Sequence, residues 1–170
     1  ASTSGGWTHI IGPGITQFFS VAASNGGGTL QVLGGAQDNG TPLQSGLANW
    51  RDIYGGDGGF VAIDPTNSNI MYGEYVNLKI FRSTNAGAST SLIDKNSAPG
   101  IGEITDSRTD DALFIAPFIL DPNNPDTMLA GGKSLWRSTD VKSAWFWPGW
   151  SAIKPPIFPM QVTTRLISAI

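Results

Sequence analysis

The feature that most constrains the fold of this chain is an internal repeat. One segment, from position 58, reads GGFVAIDPTNSNIMYGEYVNLKIFRSTNAG, and a second, from position 113, reads LFIAPFILDPNNPDTMLAGGKSLWRSTDVK. In both, an apolar run ends in Asp-Pro, a polar turn and a short apolar run follow, and an aromatic residue precedes Arg-Ser-Thr-Asx. Asp64 and Asp121 lie 57 positions apart, and Ser83 and Ser138 lie 55 apart, as a loop insertion between fixed strands would produce. The chain therefore uses one supersecondary unit more than once.

Local chemistry predicts that this unit is made of β-strands. Residues 60–63, 70–75 and 113–120 are rich in β-branched and aromatic residues and stop at Asp, Asn, Pro or Gly. No stretch keeps a 3.6-residue apolar period over three turns, so we predict no long helix. Four short strands in each unit of ~40–57 residues are typical of a β-propeller blade. We predict an all-β fold of four-stranded antiparallel blades, about three in number, with partial strands at both ends.

The repeat divides the chain into units of one partial propeller that spans residues 1–170. We interpret residues 1–14 as the end of a preceding blade, residues 15–54, 55–110 and 111–153 as blades, and residues 154–170 as the start of the next blade. Because the sequence begins and ends inside a blade, further blades from the same longer polypeptide or from other chains are the expected partners. Uncovered sheet faces and edges would otherwise promote aggregation.

Composition excludes several other classes of protein. Charged residues make up only 14% of the chain, and glycine is frequent, with 22 residues. The net charge is −3, whereas a nucleic-acid-binding domain would need a basic surface. The sequence has no cysteine, which excludes disulfides and thiolate zinc sites, and no apolar run long enough for a membrane helix. We therefore predict no nucleic-acid partner and no membrane span.

Several segments resemble a known superfamily. RSTNAGAST and RSTDVKSAW resemble the Asp-box, roughly Ser-x-Asp-x-Gly-x-x-Trp, of BNR-type β-propellers, and DPTNSNIMYGE and DPNNPDTMLAGG resemble the preceding strand pair in sortilin-type and xyloglucanase-like propellers. GGAQDNGT (residues 34–41) and GGDGGFVAIDP (residues 55–65) resemble segments of large secreted bacterial proteins. The resemblance covers most of residues 18–145 and implies an extracellular or cell-surface location. It does not fix the function, because the superfamily includes sialidases, xyloglucan hydrolases, sorting receptors and adhesive modules.

The resemblance implies that the Asp-box residues are structural. In this chain they are Ser83, Asn85, Gly87, Ser138, Asp140 and Trp145. The first copy departs from the pattern with Asn85 for Asp, and the second with Lys142 for Gly. A motif that recurs once per blade lies at the same peripheral place each time, whereas catalysis needs unlike groups that converge on one site. We interpret both copies as hairpin turns in which the Asx side chain accepts backbone N–H groups.

Two glycine-rich loops are candidates for ligand binding. QDNGT (residues 37–41) fits an Asn-Gly turn, or a ligand loop in which Asp38 and Asn39 bind the ligand. Calcium is the one cofactor this loop could hold, but it takes six to eight oxygen ligands, and no Asp-x-Asp-x-Asp spacing occurs. No other cofactor is predicted, and no metal site, since His9 is the only histidine.

Asp57, in GGDGG, is a ligand-binding candidate and the only catalytic candidate. Flanking glycines leave it approachable, and it directly precedes a predicted innermost strand. A glycosidase needs a second carboxylate, and spacing does not choose among the possible partners. These are Glu74, Glu103, Asp106, Asp110 and Asp111.

The segment WFWPGW (residues 145–150) adds Trp147 and Trp150 as candidates for stacking on sugars or protein partners. The alternative is that these rings cover a blade edge. Taken together, the sequence favours a non-catalytic, extracellular β-propeller segment that serves protein or glycan binding or structural assembly. The alternative is a fragment of a xyloglucanase-like glycoside hydrolase, so enzymatic activity stays open.

Overall fold

A computed structural model describes residues 16–47, 49–95, 102–143, 148–154 and 166–170. These residues form three four-stranded antiparallel sheets, each built from strands consecutive in the chain. Sheet 1 contains β1 (Ser20–Ser24), β2 (Gln31–Gly35), β3 (Pro42–Ser45) and β4 (Arg51–Asp52). Sheet 2 contains β5 (Val61–Ile63), β6 (Met71–Glu74), β7 (Ile80–Ser83) and β8 (Ser91–Leu92). Sheet 3 contains β9 (Phe118–Leu120), β10 (Met128–Gly131), β11 (Leu135–Ser138) and β12 (Ser151–Lys154).

This architecture confirms the predicted fold class, a nearly all-β chain of four-stranded antiparallel sheets that fits a partial propeller. Ser83 ends the third strand of sheet 2, and Ser138 ends the third strand of sheet 3. The boundaries of the five repeat units stay a prediction. Residues 1–14 and 155–165, assigned to the flanking blades, lie outside the described residues.

Two short helical segments were not anticipated from the sequence. A 3₁₀ turn, Gly26–Gly28, joins β1 to β2, and a single α-helical turn, α1 (Thr105–Arg108), lies between β8 and β9. A four-residue helix is too short to show a periodic apolar pattern. Contacts with sheet 3 hold α1 in place, because one carboxylate oxygen of Asp106 accepts hydrogen bonds from Ser134 N (2.7 Å) and Trp136 Nε1 (2.9 Å). No helix among the described residues has the length and apolarity to cross a membrane.

The sheets pack face to face in chain order, with one apolar layer in each interface. Between sheets 1 and 2 the buried residues are Leu33, Leu43, Val61, Ile63 and Met71. The layer between sheets 2 and 3 includes Tyr72, Ile80, Phe118, Met128 and Trp136. Strand β6 is buried along its whole length because it supplies Met71 to one layer and Tyr72 to the other. Each such fully buried side chain contributes about 1.5–3 kcal/mol.

Glycine permits the close approach of sheet 1 to the chain that enters sheet 2. A Cβ atom on Gly35, at the end of β2, would lie 1.9 Å from the carbonyl oxygen of Gly59. Only a residue without a side chain fits such a distance, so this glycine sets the spacing of the first two sheets.

Candidate functional site

The two glycine-rich loops that the sequence offered as separate ligand loops lie against each other. Asp57 Oδ1 accepts a hydrogen bond from Asp38 N (2.9 Å), and Gly40 N donates to Gly56 O (2.8 Å). Asp38 is exposed and has a positive φ of 62°, a conformation that aspartate tolerates better than most residues. The Asp57 carboxylate therefore holds the neighbouring loop, and both loops form a single polar surface beside sheets 1 and 2.

Local hydrogen bonds involve the side chains of Asn39 and of the nearby Asp52. Asn39 is exposed, and its Nδ2 donates to Gln37 O (3.1 Å). Asp52 Oδ1 accepts from Thr41 N (3.0 Å). Among the described residues, no group of three or more histidine, cysteine, aspartate or glutamate side chains could hold a metal ion. Calcium binding at Asp38 and Asn39 thus stays a prediction with no ligand cluster to support it.

The serine of the first Arg-Ser-Thr-Asx segment organises its own turn. Ser83 Oγ accepts from Gly87 N (2.8 Å) and donates to Asn85 Oδ1 (3.0 Å), and Asn85 Oδ1 also accepts from Ser89 N (2.9 Å). Gly87 has a φ of 76°, which favours glycine at this position. Because Ser83 is only 1% exposed and hydrogen-bonded within the turn, its hydroxyl cannot reach a substrate.

The second segment repeats part of this arrangement with an acid in place of the amide, but Lys142 N, at the position of Gly87 N, donates to Asp126 Oδ1 (3.0 Å) instead of to the serine. Ser138 Oγ donates to Asp140 Oδ1 (2.7 Å), which also accepts from Gly149 N (2.9 Å). Ser138 is also 1% exposed. Trp145 lies outside the described residues. The two turns thus use their Asx oxygens as acceptors for backbone amides.

Of the aromatic candidates, only Trp150 lies within the described residues, and Trp147 does not. Trp150 is 4% exposed and belongs to the apolar layer between sheets 2 and 3. Its indole Nε1 donates to Ile93 O (2.7 Å), at the end of sheet 2. The ring therefore acts as a packing residue in this arrangement and offers no face for stacking.

Glu74 is the most buried of the carboxylates considered as partners of Asp57. It has no exposed surface, and its Oε1 accepts from Leu78 N (3.3 Å) and Ala116 N (3.2 Å). Burial raises the pKa of Glu74 to about 8, and the backbone hydrogen bonds only partly oppose this. Since Leu78 precedes β7 and Ala116 precedes β9, the Glu74 carboxyl joins sheet 2 to the entry of sheet 3.

A polar cleft of about 440 Å³ lies beside β8 and α1. Its lining residues are Lys79, Asp94, Lys95, Glu103, Ser107, Arg108 and Asp110. Of the carboxylates proposed from sequence, Glu103 and Asp110 line the cleft, whereas Asp106 holds sheet 3 and Asp111 pairs with Lys133 (3.1 Å). Asp57 does not line this cleft.

Asp94 is the residue of this cleft that sequence reasoning missed. It is 1% exposed, its Oδ2 accepts from Ser107 Oγ (2.7 Å), and burial raises its pKa despite that bond. Two ion pairs flank it, Arg108 with Glu103 (3.0 Å) and Lys79 with Asp110 (3.0 Å). No local pattern marks Asp94, because its surroundings come from α1, which is distant in sequence. Chemically, the cleft offers paired charges and one carboxyl with raised proton affinity.

Comparison with known proteins gives a similarity of fold. No protein-family model matches the chain, and no curated protein matches it. Among solved structures, the chain is similar to the crystal structure of the GH74 xyloglucanase from Xanthomonas campestris, with a TM-score of 0.53 and 16% sequence identity. The match covers 79% of this chain and 23% of that chain. At this identity the similarity shows the fold alone, so the chain has a propeller-like fold and spans about a quarter of that enzyme's length.

Proposed function

We propose that this chain is a non-catalytic β-propeller segment that acts in structural assembly, docking further blades on the outer faces of sheets 1 and 3. The observation that carries the proposal is the exposure of large apolar side chains on those two faces. The faces between the sheets, by contrast, are buried. Monomeric proteins seldom expose contiguous apolar surface without a partner for it.

On sheet 1, the exposed residues belong to or precede the first strand. Phe19 and Val21 are 57% and 55% exposed. Ala22, the next residue of the strand, points to the opposite face and packs against the layer shared with sheet 2. On sheet 3, Ile119 and Ile153 are 44% and 42% exposed. In β1 and β9, apolar side chains therefore occur on both sides of the strand, as in sheets that are covered on both faces.

The loop pair around Asp38 and Asp57 is the ligand-binding candidate within the same proposal. The exposed side chains of Asp38 and Asn39 and the half-buried carboxylate of Asp57 would suit hydroxyl groups of a glycan or polar groups of a protein. An extracellular or cell-surface location is part of the proposal as well. It is supported by the resemblance of residues 34–41 and 55–65 to segments of secreted proteins.

An exposure experiment tests the assembly role. We expect the isolated chain to bind an apolar fluorescent dye such as ANS and to self-associate in sedimentation velocity. Val21→Lys and Ile119→Lys should each reduce both signals without lowering the melting temperature, since neither side chain is buried. Gln37→Lys, at an exposed loop position, is the matched control and should change nothing. A monomeric chain with no dye binding would contradict the proposal.

The second candidate is a fragment of a xyloglucanase-like glycoside hydrolase. It is favoured by the similarity of fold to a xyloglucanase and by the cleft that holds Asp94 and Glu103. The measurement is reducing-sugar release from xyloglucan and other β-glucans. We expect none above the blank. Release that is abolished by Asp57→Asn or Asp94→Asn would replace the non-catalytic proposal.

A further inference from the structure

Two charged side chains of sheet 2, the cation Arg82 and the anion Asp64, form polar contacts with sheet 3. Arg82 Nη1 donates to Val141 O (2.6 Å), in the turn that follows β11. From the same turn, Lys142 Nζ lies 2.7 Å from Asp64 Oδ2, directly after β5. Sheet 2 therefore contacts the turn between the third and fourth strands of sheet 3 at two groups, a backbone carbonyl and a lysine side chain.

The outer face of sheet 3 carries the same two groups in the same positions. Arg137 directly precedes Ser138 at the end of β11, as Arg82 precedes Ser83 at the end of β7. Asp121 directly follows β9, as Asp64 follows β5. The strand registers agree as well. Arg82 pairs with Tyr72, which pairs with Ala62, and Arg137 pairs with Leu129, which pairs with Ile119.

On sheet 2 this face is covered, whereas on sheet 3 it forms an open groove of about 640 Å³. The groove is lined by apolar side chains, including Ile119, Leu129 and Ile153, with Asp121 and Arg137 among them. Arg137 is exposed and has no hydrogen-bond or ion-pair partner in the part of the chain that the structure describes. Ile170, near the end of the chain, also lines the groove, but no turn of another described sheet contacts Arg137 or Asp121 there as the turn after β11 contacts Arg82 and Asp64.

The interface between sheets 1 and 2 contains a comparable arginine contact, although this arginine comes from the fourth strand of its sheet and Arg82 comes from the third. Arg51 of sheet 1 donates from Nη1 to Gly87 O (2.9 Å) and from Nη2 to Ala86 O. Ala86 stands three residues after Ser83, as Val141 stands three residues after Ser138. In both described interfaces, an arginine of the earlier sheet therefore binds carbonyl groups of the same turn in the later sheet.

Ile167 contacts sheet 3 in the same way that the segment before β5 contacts sheet 1. Ile167 N donates to Gly132 O (2.9 Å), one residue beyond β10, just as Gly58 N donates to Ala36 O (2.9 Å), one residue beyond β2. Gly58 leads directly into β5, the first strand of the sheet that covers sheet 1. The approach at Ile167 therefore marks this side of sheet 3 as the place of a following sheet.

We propose that the outer face of sheet 3 binds a further four-stranded sheet whose turn between third and fourth strands gives a backbone carbonyl to Arg137 and a lysine or arginine side chain to Asp121. This inference rests on the proposed function and names its partner. A second copy of this chain fits less well, because its free face belongs to sheet 1, and the turn after β3, residues 46–50, contains no basic residue.

The test uses the intact chain and a synthetic peptide of residues 135–154, which carries the third strand, the turn and the fourth strand that sheet 2 holds. The labelled peptide should bind saturably in fluorescence anisotropy. Arg137→Ala and Asp121→Asn should each weaken binding roughly tenfold, since each removes a charge-assisted contact. Asp121→Asn keeps an oxygen that can accept from Asn123 N, so the local turn is preserved. Arg108→Ala, at the polar cleft, is the matched control and should leave binding unchanged.

A charge reversal provides the sharper test. The peptide carrying Lys142→Asp should bind the unmodified chain weakly and the Asp121→Lys chain well. Absence of saturable binding, failure of both substitutions to weaken it, or absence of rescue would overturn the inference. So would a dimer of the chain that Arg137→Ala dissociates, because a second copy would then be the occupant. If the dye experiment succeeds while the peptide fails, the assembly role stands and only this partner is rejected.

Discussion

The two faces of strand β10 have the same chemistry and different surroundings. Met128 and Ala130 point towards sheet 2 and are fully buried, whereas Leu129, between them, points away and lines the open groove. Strand β6, the equivalent strand of sheet 2, is buried on both faces. The comparison teaches that sheet 3 is composed as a middle sheet with two apolar faces. Sheet 2 covers one face, whereas the other is contacted by Ile167 and Ile170 but by no described sheet.

The largest expected difference in the free energy of unfolding is between substitutions on the two faces of β10. Met128→Ala should lower the free energy of unfolding by about 3 kcal/mol, because it removes a fully buried side chain and leaves a cavity. Leu129→Ala should cost less than about 1 kcal/mol in the isolated chain, since its side chain faces the groove. Urea unfolding measures both. Equal costs would break the comparison, because they would mean that the outer face is packed.

Next in size is the difference between the two equivalent arginines. Arg82→Ala should cost about 2 kcal/mol, because it removes the charged donor to Val141 O at the interface of sheets 2 and 3. Arg137→Ala should leave the stability of the isolated chain within about 0.5 kcal/mol, since it is an exposed side chain. Thermal and urea unfolding of the two variants provide the test. A large loss at Arg137 would show that this arginine already has a structural partner.

A third expectation concerns pH and the covered interface. Glu74 has a pKa of about 8 in the folded chain, above its unfolded value, so the folded state keeps its proton more tightly. The stabilising effect of that proton is complete below the unfolded pKa and is lost as pH rises towards 8, with a slope of about 1.4 kcal/mol per pH unit. The equivalent position in sheet 3 is Gly131, which cannot titrate.

Melting temperatures between pH 5 and pH 9 measure this dependence. Glu74→Gln should flatten the decline, because the amide keeps an oxygen for Leu78 N and Ala116 N but does not ionise. At pH 9 the variant should be the more stable protein. An identical pH profile for both proteins would show that Glu74 does not govern the decline.

The smallest effect belongs to the turns. Asn85→Asp turns the first turn into the form seen around Asp140, losing only the exposed contact between Asn85 Nδ2 and Ser89 Oγ. Stability should change by no more than about 0.5 kcal/mol. A cost above that in urea unfolding would mean that the two turns are less alike than their hydrogen bonds indicate.

Sequence reasoning predicted well what depends on local pattern. The Asp-Pro pairs, apolar runs and serines of the repeat predicted the strands, and Ser83 and Ser138, which the repeat places at equivalent positions, end the third strands of sheets 2 and 3. It did not predict what depends on contacts between sheets. Asp94, whose partner is on α1, and Glu74, which joins two sheets, are marked by nothing in their neighbouring sequence. The sequence indicated Trp150 as a candidate ligand-binding residue, because its burial depends on sheets remote in sequence and leaves no local pattern.

The arginine contacts all run in one direction, from each sheet to the one that follows it. Such an interface is head-to-tail, since the surface that supplies the arginine differs from the surface that supplies the carbonyl groups. In a head-to-tail arrangement, each added unit presents a new free surface to which another unit can bind. Their number is limited only when the rotation between successive units brings the last one back to the first. In this molecule the angle between neighbouring sheets, and not any feature of a single sheet, would therefore decide how many sheets a closed assembly contains.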